Sequence, residues 1–374
     1  MKVESKRLFG RREVLRAMGL GALFFGAREM LRGIPAARAF EGIAETPSVE
    51  PALELLQQPA ALAEAVRLYE ADQLDTTIPV GWIDTTPLYV DLPLYYGAGG
   101  SIVDLEKSKR FPEGDPFNQV VQHATWATGF AAQRSDATAP FVSPGLSQAE
   151  WTQLIFAVDT TISIHRYPEI ITYLVDAGVG VIGAIPTWTD NDLGVDEQTI
   201  AAVASAFAYA QERNVLIVIP AGNRGIDMAA PPDGARRILH DLKLKYTNVV
   251  CAGGVTIDCE RAKWEERGSN YGQGFISLVT PILNRHVPAE WNQVVSGTTF
   301  ATGDITSCIQ LIQAIIGRDA TGKLPNPETV FACMSETAHY LGKNELHGHG
   351  LLQMESALIA AQGAHKLLAK RAKK

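Results

Sequence analysis

Cysteine is scarce: Cys251, Cys259, Cys308 and Cys333 are the only four in 374 residues. Four scattered thiols cannot supply a disulfide framework, so the chain must be held by an ordinary hydrophobic core. Cys251 and Cys333 sit in apolar runs, where a buried inert thiol is expected, although Cys251 could pair with Cys259 in an oxidising compartment. Metal-ligand spacing is absent as well. His347-Gly348-His349 lacks the Cys or Glu partners of a metal site and reads as a turn, so neither metal nor cofactor is expected. Long apolar runs are missing too, because Ala17 to Ala27 is too short to cross a bilayer as a stable helix. With 46% hydrophobic and 20% charged residues, disorder and fibrous classes are excluded.

What is present begins with a targeting pattern. A basic stretch (Lys2, Lys6, Arg7) leads to the adjacent pair Arg11-Arg12, then the weakly apolar run, then Ala37-Arg38-Ala39. This order resembles a twin-arginine export signal with a small-x-small cleavage site before Phe40. It places the mature protein in the periplasm or outside the cell. The alternative is an uncleaved amphipathic anchor, since Arg28, Glu29 and Arg32 interrupt the run, and only then would a membrane be a partner. Without residues 1–39 the chain carries 24 basic and 38 acidic residues, a formal charge of −14. That surface disfavours nucleic acid and anionic membrane.

The remaining chain divides into a linker with a helical pattern at 40–75, a domain at 76–365 and a basic tail at 366–374. The tail (Lys366, Lys370, Arg371, Lys373, Lys374) reads as a solvated helix end. Within the domain, short β-branched runs alternate with helical stretches, which predicts an α/β fold with a mainly parallel sheet. Expected strands are Val80–Ile83, Val179–Ile185, Val215–Pro220, Val249–Ala252 and Phe275–Val279. Expected helices lie near 119–132, 166–176, 197–213, 300–317 and 327–340. In such sheets the chemistry sits just past the carboxyl ends of the strands, which draws attention to Asp84 and Asn223.

Four segments carry a constellation: Val80-Gly-Trp-Ile-Asp84-Thr-Thr86, His123-Ala-Thr-Trp-Ala-Thr-Gly129, Pro220-Ala-Gly-Asn223-Arg-Gly225 and Ser296-Gly-Thr-Thr299-Phe-Ala-Thr302. Their intervals are 39, 100 and 76 residues between Asp84, His123, Asn223 and Thr299. Together with Tyr246–Gly254, Ser269-Asn-Tyr-Gly272 and Gly348-His-Gly-Leu351, they resemble the subtilisin-like serine protease family over about residues 78–360. The resemblance implies a three-layer fold and a catalytic triad: Asp84 orienting His123, His123 activating the nucleophile, and Asn223 donating to the oxyanion. It also implies a peptide or protein as substrate or ligand. A second Asp-Thr-Thr at Asp159 has no following histidine motif, so Asp159 is expected to end another strand.

The sequence departs from the family at the nucleophile, where Thr299 stands in place of serine. The hydroxyl survives, but the β-branched side chain has few rotamers, and its methyl must fit where substrate and oxyanion donors converge. A helix cap is the structural alternative for Thr299. Thr86 and Ala124 replace glycines, Trp126 replaces a histidine, and Gly303 stands where the family has proline. Ile185, Pro186, Thr187 and Trp188 occupy the segment that pairs with substrate backbone; Pro186 lacks an N–H and Trp188 is bulky. Three functions remain open: a slow or narrow peptide hydrolase, an inactive subtilase-like peptide binder, and an enzyme that acts once on its own 40–75 segment.

Overall fold

A seven-stranded sheet organises the computed structural model, which describes residues 51–372 except 90–95, 98–99, 118–122, 134–146, 149–150, 160–163, 185–194, 232–237 and 288–289. Its strands are β1 (Val80–Asp84), β2 (Lys109–Phe111), β3 (Leu154–Asp159), β4 (Val181–Ala184), β5 (Leu216–Pro220), β6 (Val249–Val255) and β7 (Leu278–Pro281). They lie in the order β7-β6-β5-β4-β1-β3-β2, and every neighbouring pair is parallel. Apart from the edge strand β2, each is buried along its whole length. This explains why they read as continuous apolar runs and not as alternating ones. β3 is the strand that Asp159 was expected to close, and Asp159 is its last residue.

The helices are α1 (Pro51–Leu55), α2 (Gln58–Glu70), α3 (His123–Ala131), α4 (Tyr167–Asp176), α5 (Glu197–Glu212), α6 (Ile238–Lys245), α7 (Thr298–Ile316), α8 (Pro327–Ser335), α9 (Asn344–His347) and α10 (Met354–Ala372). The amino-terminal helical pattern is broken at Gln57, whose φ is 58°, and Pro59 sits in the first turn of α2, where a missing N–H costs nothing. α8 stops at Ser335, short of residue 340, because Thr337 Oγ1 donates to Cys333 O (2.7 Å) and closes the last turn. The expected strand at Phe275 starts instead at Leu278, since the Phe275 N–H turns back to Gly272 O (3.1 Å). All four cysteines are free thiols, so Cys251 and Cys259 are not paired.

α1 and α2 pack into the same core as the sheet: Leu56, Ala61, Ala65 and Leu68 are buried there. Backbone and side-chain bonds tie this segment to α10, through Met354 N–H to Leu56 O (2.9 Å) and Gln353 Nε2 to Leu55 O (3.1 Å). α7 runs through the centre, and every residue from Thr298 to Ile316 is buried. α10 continues through Lys366, Lys370 and Arg371, so the basic tail is the exposed end of a helix up to residue 372.

Candidate active site

β1 delivers Asp84 at its carboxyl end, fully buried. The carboxylate is fixed by its own loop: Oδ1 accepts from the Thr85 N–H (2.7 Å) and, more weakly, from the Thr86 N–H (3.3 Å). The indole of Trp82 reaches Oδ2 at 3.5 Å, too long to add much. Trp82 can lie there because Gly183 on β4 has no side chain; a Cβ would come within 2.4 Å of the ring.

His123 opens α3 and meets Asp84 through Nδ1, at 3.1 Å from both carboxylate oxygens. Burial alone would push this imidazole down, but the Asp84 charge and hydrogen bond outweigh it and hold His123 above its ordinary value. The Nδ1 contact leaves Nε2 as the nitrogen available for proton transfer. The departure from the family pattern at Thr86 has a structural role at this junction. Thr86 Oγ1 accepts the Ala124 N–H (2.9 Å), one of the amide groups that the first turn of a helix leaves without an internal partner. The side chain added at residue 86 therefore ties the Asp84 loop to the His123 helix. Trp126 is half-buried on the same helix, and its indole N–H has no hydrogen-bond partner among the described residues.

Asn223 follows β5. Its Oδ1 accepts from the Thr298 N–H (2.9 Å) and from Thr298 Oγ1 (3.1 Å). A backbone N–H can only donate, so the carboxamide oxygen must face Thr298 and the NH2 group is directed elsewhere. Thr298 Oγ1 also accepts from the Gly222 N–H (3.1 Å), locking the two loops together. Behind them, buried Asn270 accepts from the Arg224 (3.0 Å) and Ile226 (3.1 Å) N–H groups and donates to Ala221 O (2.9 Å). This is the work of the Ser269–Gly272 motif: it holds the loop that carries Asn223.

Thr299 is the second residue of α7, whose cap is Gly297. The helix expected near 300–317 is present and starts at Thr298, and the capping role considered for Thr299 falls to Gly297. Its side chain is 7% exposed. Among the described residues no hydrogen bond joins Thr299 to His123. Such bonds are often long before substrate binds, so the absence of this one does not by itself remove Thr299 from the reaction. Gly303, in place of the family's proline, has a steric cause: a Cβ there would lie 2.5 Å from Phe130 Cβ, so the nucleophile and histidine helices are in backbone-close contact.

Beneath these helices lies an ion pair that the sequence motifs did not signal. Arg285, on the first strand of a hairpin formed by β8 (Arg285–Val287) and β9 (Glu290–Val295), donates to Asp304 on α7 (2.9 Å) and to Pro281 O (2.7 Å). Both side chains are fully buried, and the guanidinium sits 4.8 Å from the Phe130 ring of α3. Burial raises the Asp304 carboxyl against the opposing pull of Arg285. Tyr167, also buried, is pushed well above its ordinary value by burial and then by the charges of Asp159 and Asp84.

Asp84, His123, Asn223 and Thr299 thus come from four separate segments to the carboxyl end of one sheet. Ile185, Pro186, Thr187 and Trp188 lie outside the described residues, as does the 1–39 segment. No group of three potential metal-ligating side chains occurs among the described residues.

No protein-family model matches the chain, and no curated protein matches it in sequence. Solved structures do. MycP1 from Mycobacterium smegmatis aligns with a TM-score of 0.58 at 15% identity, covering 84% of this chain and 86% of its own. The prenylagaramide maturation protease PagA aligns with a TM-score of 0.56 at 17% identity, over 79% of this chain and 98% of its own. The epidermin leader peptide processing serine protease EpiP from Staphylococcus aureus gives 0.57 at 16% identity, over 83% and 80%. At this level of identity the likeness concerns the fold, and with the parallel seven-stranded sheet it establishes that this chain adopts the subtilisin-like α/β fold.

Proposed function

We propose that the protein is an exported peptide hydrolase of subtilisin-like type, slow or narrow in substrate, with Thr299 as nucleophile. The observation that carries this reading is the Asp84–His123 contact of 3.1 Å at the end of β1, set beside an Asn223 carboxamide whose oxygen is occupied by Thr298. In the mechanism, His123 Nε2 takes the proton of Thr299 Oγ1 as the oxygen attacks the scissile carbonyl. The oxyanion is met by Asn223 Nδ2 and by the backbone N–H of Thr299 in the first turn of α7, since the Thr298 N–H is taken by Asn223 Oδ1 and the Phe300 N–H by Gly297 O. The protonated imidazole, stabilised by Asp84, then gives its proton to the leaving amine. Water repeats the sequence to release the acyl group. PagA and EpiP are described as a maturation protease and a leader-peptide processing protease, which is in keeping with a narrow substrate range. Export rests on Arg11-Arg12 and the Ala37-Arg38-Ala39 site.

The test is covalent labelling of the purified protein by a fluorophosphonate. Labelling is expected in the wild type, lost in Thr299→Ala and increased in Thr299→Ser. Labelling of Thr299→Ser with none in the wild type would sink the hydrolase reading. That outcome would favour the second one, an inactive protein that binds peptides in the remodelled cleft. The missing Thr299–His123 hydrogen bond is the observation behind this alternative.

A further inference from the structure

A cavity of about 510 Å3 opens between α6, the 273–277 segment, and α8 with the 340–349 segment, and none of its lining residues belongs to the site above. Its volume falls within the range of small-ligand sites, about 300–1,000 Å3. The walls are firmly built. Gly348 has a φ of 58°, and a Cβ there would lie 2.4 Å from Ile276 O, so this turn is pressed onto the neighbouring backbone. The His349 N–H donates to Ser277 O (2.9 Å), and its ring stands edge-on to Phe331 at 5.3 Å.

The lining is divided by character. Phe331, Ile276 and Tyr340 supply apolar surface, with Tyr340 62% exposed at the edge. Leu244, 59% exposed, lies beside Gly274 and widens the apolar rim. Lys243 supplies an ammonium group, half-buried, with no carboxylate in ion-pair contact among the described residues. Burial pushes this lysine down, and the nearby Cys251 offers no counter-charge because burial pushes its thiol far up and keeps it protonated. His349 is pushed down by burial and then by Lys243, so it stays neutral at pH 7. Among the described residues the cavity therefore carries one positive charge with no carboxylate against it, beside the apolar surface of Phe331, Ile276 and Tyr340. A partly desolvated cation of this kind gains most from a single matching anion.

We propose that this cavity binds a carboxylate carried on an aromatic or branched apolar group, with Lys243 as counter-charge and Phe331, Ile276 and Tyr340 around the apolar part. Asn344, on the same lining, offers a side-chain amide to the second carboxylate oxygen. The inference uses none of the four residues of the hydrolase reading and stands or falls without it. The carboxylate can belong to a free small acid or to the carboxyl end of a peptide.

Calorimetric titration of the full-length protein tests the proposal, with N-acetylphenylalanine, its neutral amide, and a tetrapeptide ending in phenylalanine as probes. The acid is expected to bind, the amide to bind at least about tenfold more weakly, and Lys243→Met to weaken the acid by a similar factor. Loss of a hydrogen bond to a charged partner has that size. Lys243→Met removes a desolvated charge while keeping the aliphatic stem, so the variant is expected to fold. Tyr340→Ala, at the exposed rim, provides an independent variant that should also weaken binding. Thr299→Ala should bind the acid as the wild type does, and this background prevents turnover of the peptide. Peptide binding as tight as that of the acid identifies a chain end as the ligand; binding of the acid alone identifies a small acid. The proposal is overturned if the acid does not bind, if the amide binds equally well, or if Lys243→Met leaves the affinity unchanged.

Discussion

A general base must be neutral before it can accept a proton, and His123 is held in its charged form by Asp84 beyond the ordinary imidazole range. The acid limb of the rate profile is therefore expected above pH 6.5, the ordinary histidine value. Stability runs the other way. A folded value above the unfolded one means that the Asp84–His123 attraction stabilises the fold fully below the unfolded value, and that this contribution is lost as the pH rises through the folded value. Asp84→Asn should move the acid limb toward lower pH and lower kcat by about 10⁴-fold, the size found for loss of the orienting carboxylate in a triad. A pH profile of fluorophosphonate labelling in both proteins checks the direction; an unmoved limb would exclude His123 as the titrating base. At this scale the four principal residues were legible, because each sits in a short motif. Thr298, Asn270 and Tyr167 were not, because their roles exist only through partners on other segments, such as Thr298 N–H to Asn223 Oδ1, 75 residues apart.

Two helices and a hairpin meet at the Arg285–Asp304 pair, and here the element, not the single residue, is what is positioned. Arg285 touches α7 through Asp304, α3 through Phe130 and the end of β7 through Pro281 O. Removing one partner leaves the other charged and buried. Asp304→Ala should therefore cost about 3–5 kcal/mol, whereas Arg285→Met with Asp304→Leu should recover most of that loss. Urea unfolding of Arg285→Met, Asp304→Leu and the double variant measures the coupling, and additive effects would refute the pair's role as a clamp. Strands were readable because β1, β4, β5 and β6 are apolar on both faces. The close approach of α3 and α7 was not readable: Gly303 looks like a departure in sequence, and only the 2.5 Å distance to Phe130 gives its reason.

For the molecule as a whole, the boundary of the folded body matters more than any one element. Residues 51–75 read as a linker with a helix, yet α1 and α2 bury Leu53, Leu56 and Leu68 and bond to α10. Each buried leucine contributes about 1.5–3 kcal/mol relative to exposure, so the segment belongs to the folded core and is not a spacer. Export with signal removal predicts a mature protein that begins at Phe40 and keeps both helices. Intact-mass measurement of the exported wild type and Thr299→Ala should give that same amino terminus. A wild type that instead starts at or beyond residue 76, with Thr299→Ala uncut, would establish self-processing and remove these helices from the functional protein. The central helix α7 adds a last consequence. Because every residue of α7 is buried, the amides beyond its first turn are expected to exchange with solvent mainly through opening of the whole body. The segment bearing Thr299 is therefore expected to behave as a rigid axle, so that the reach of its hydroxyl is set by the side chains meeting over it and not by loosening of the helix itself.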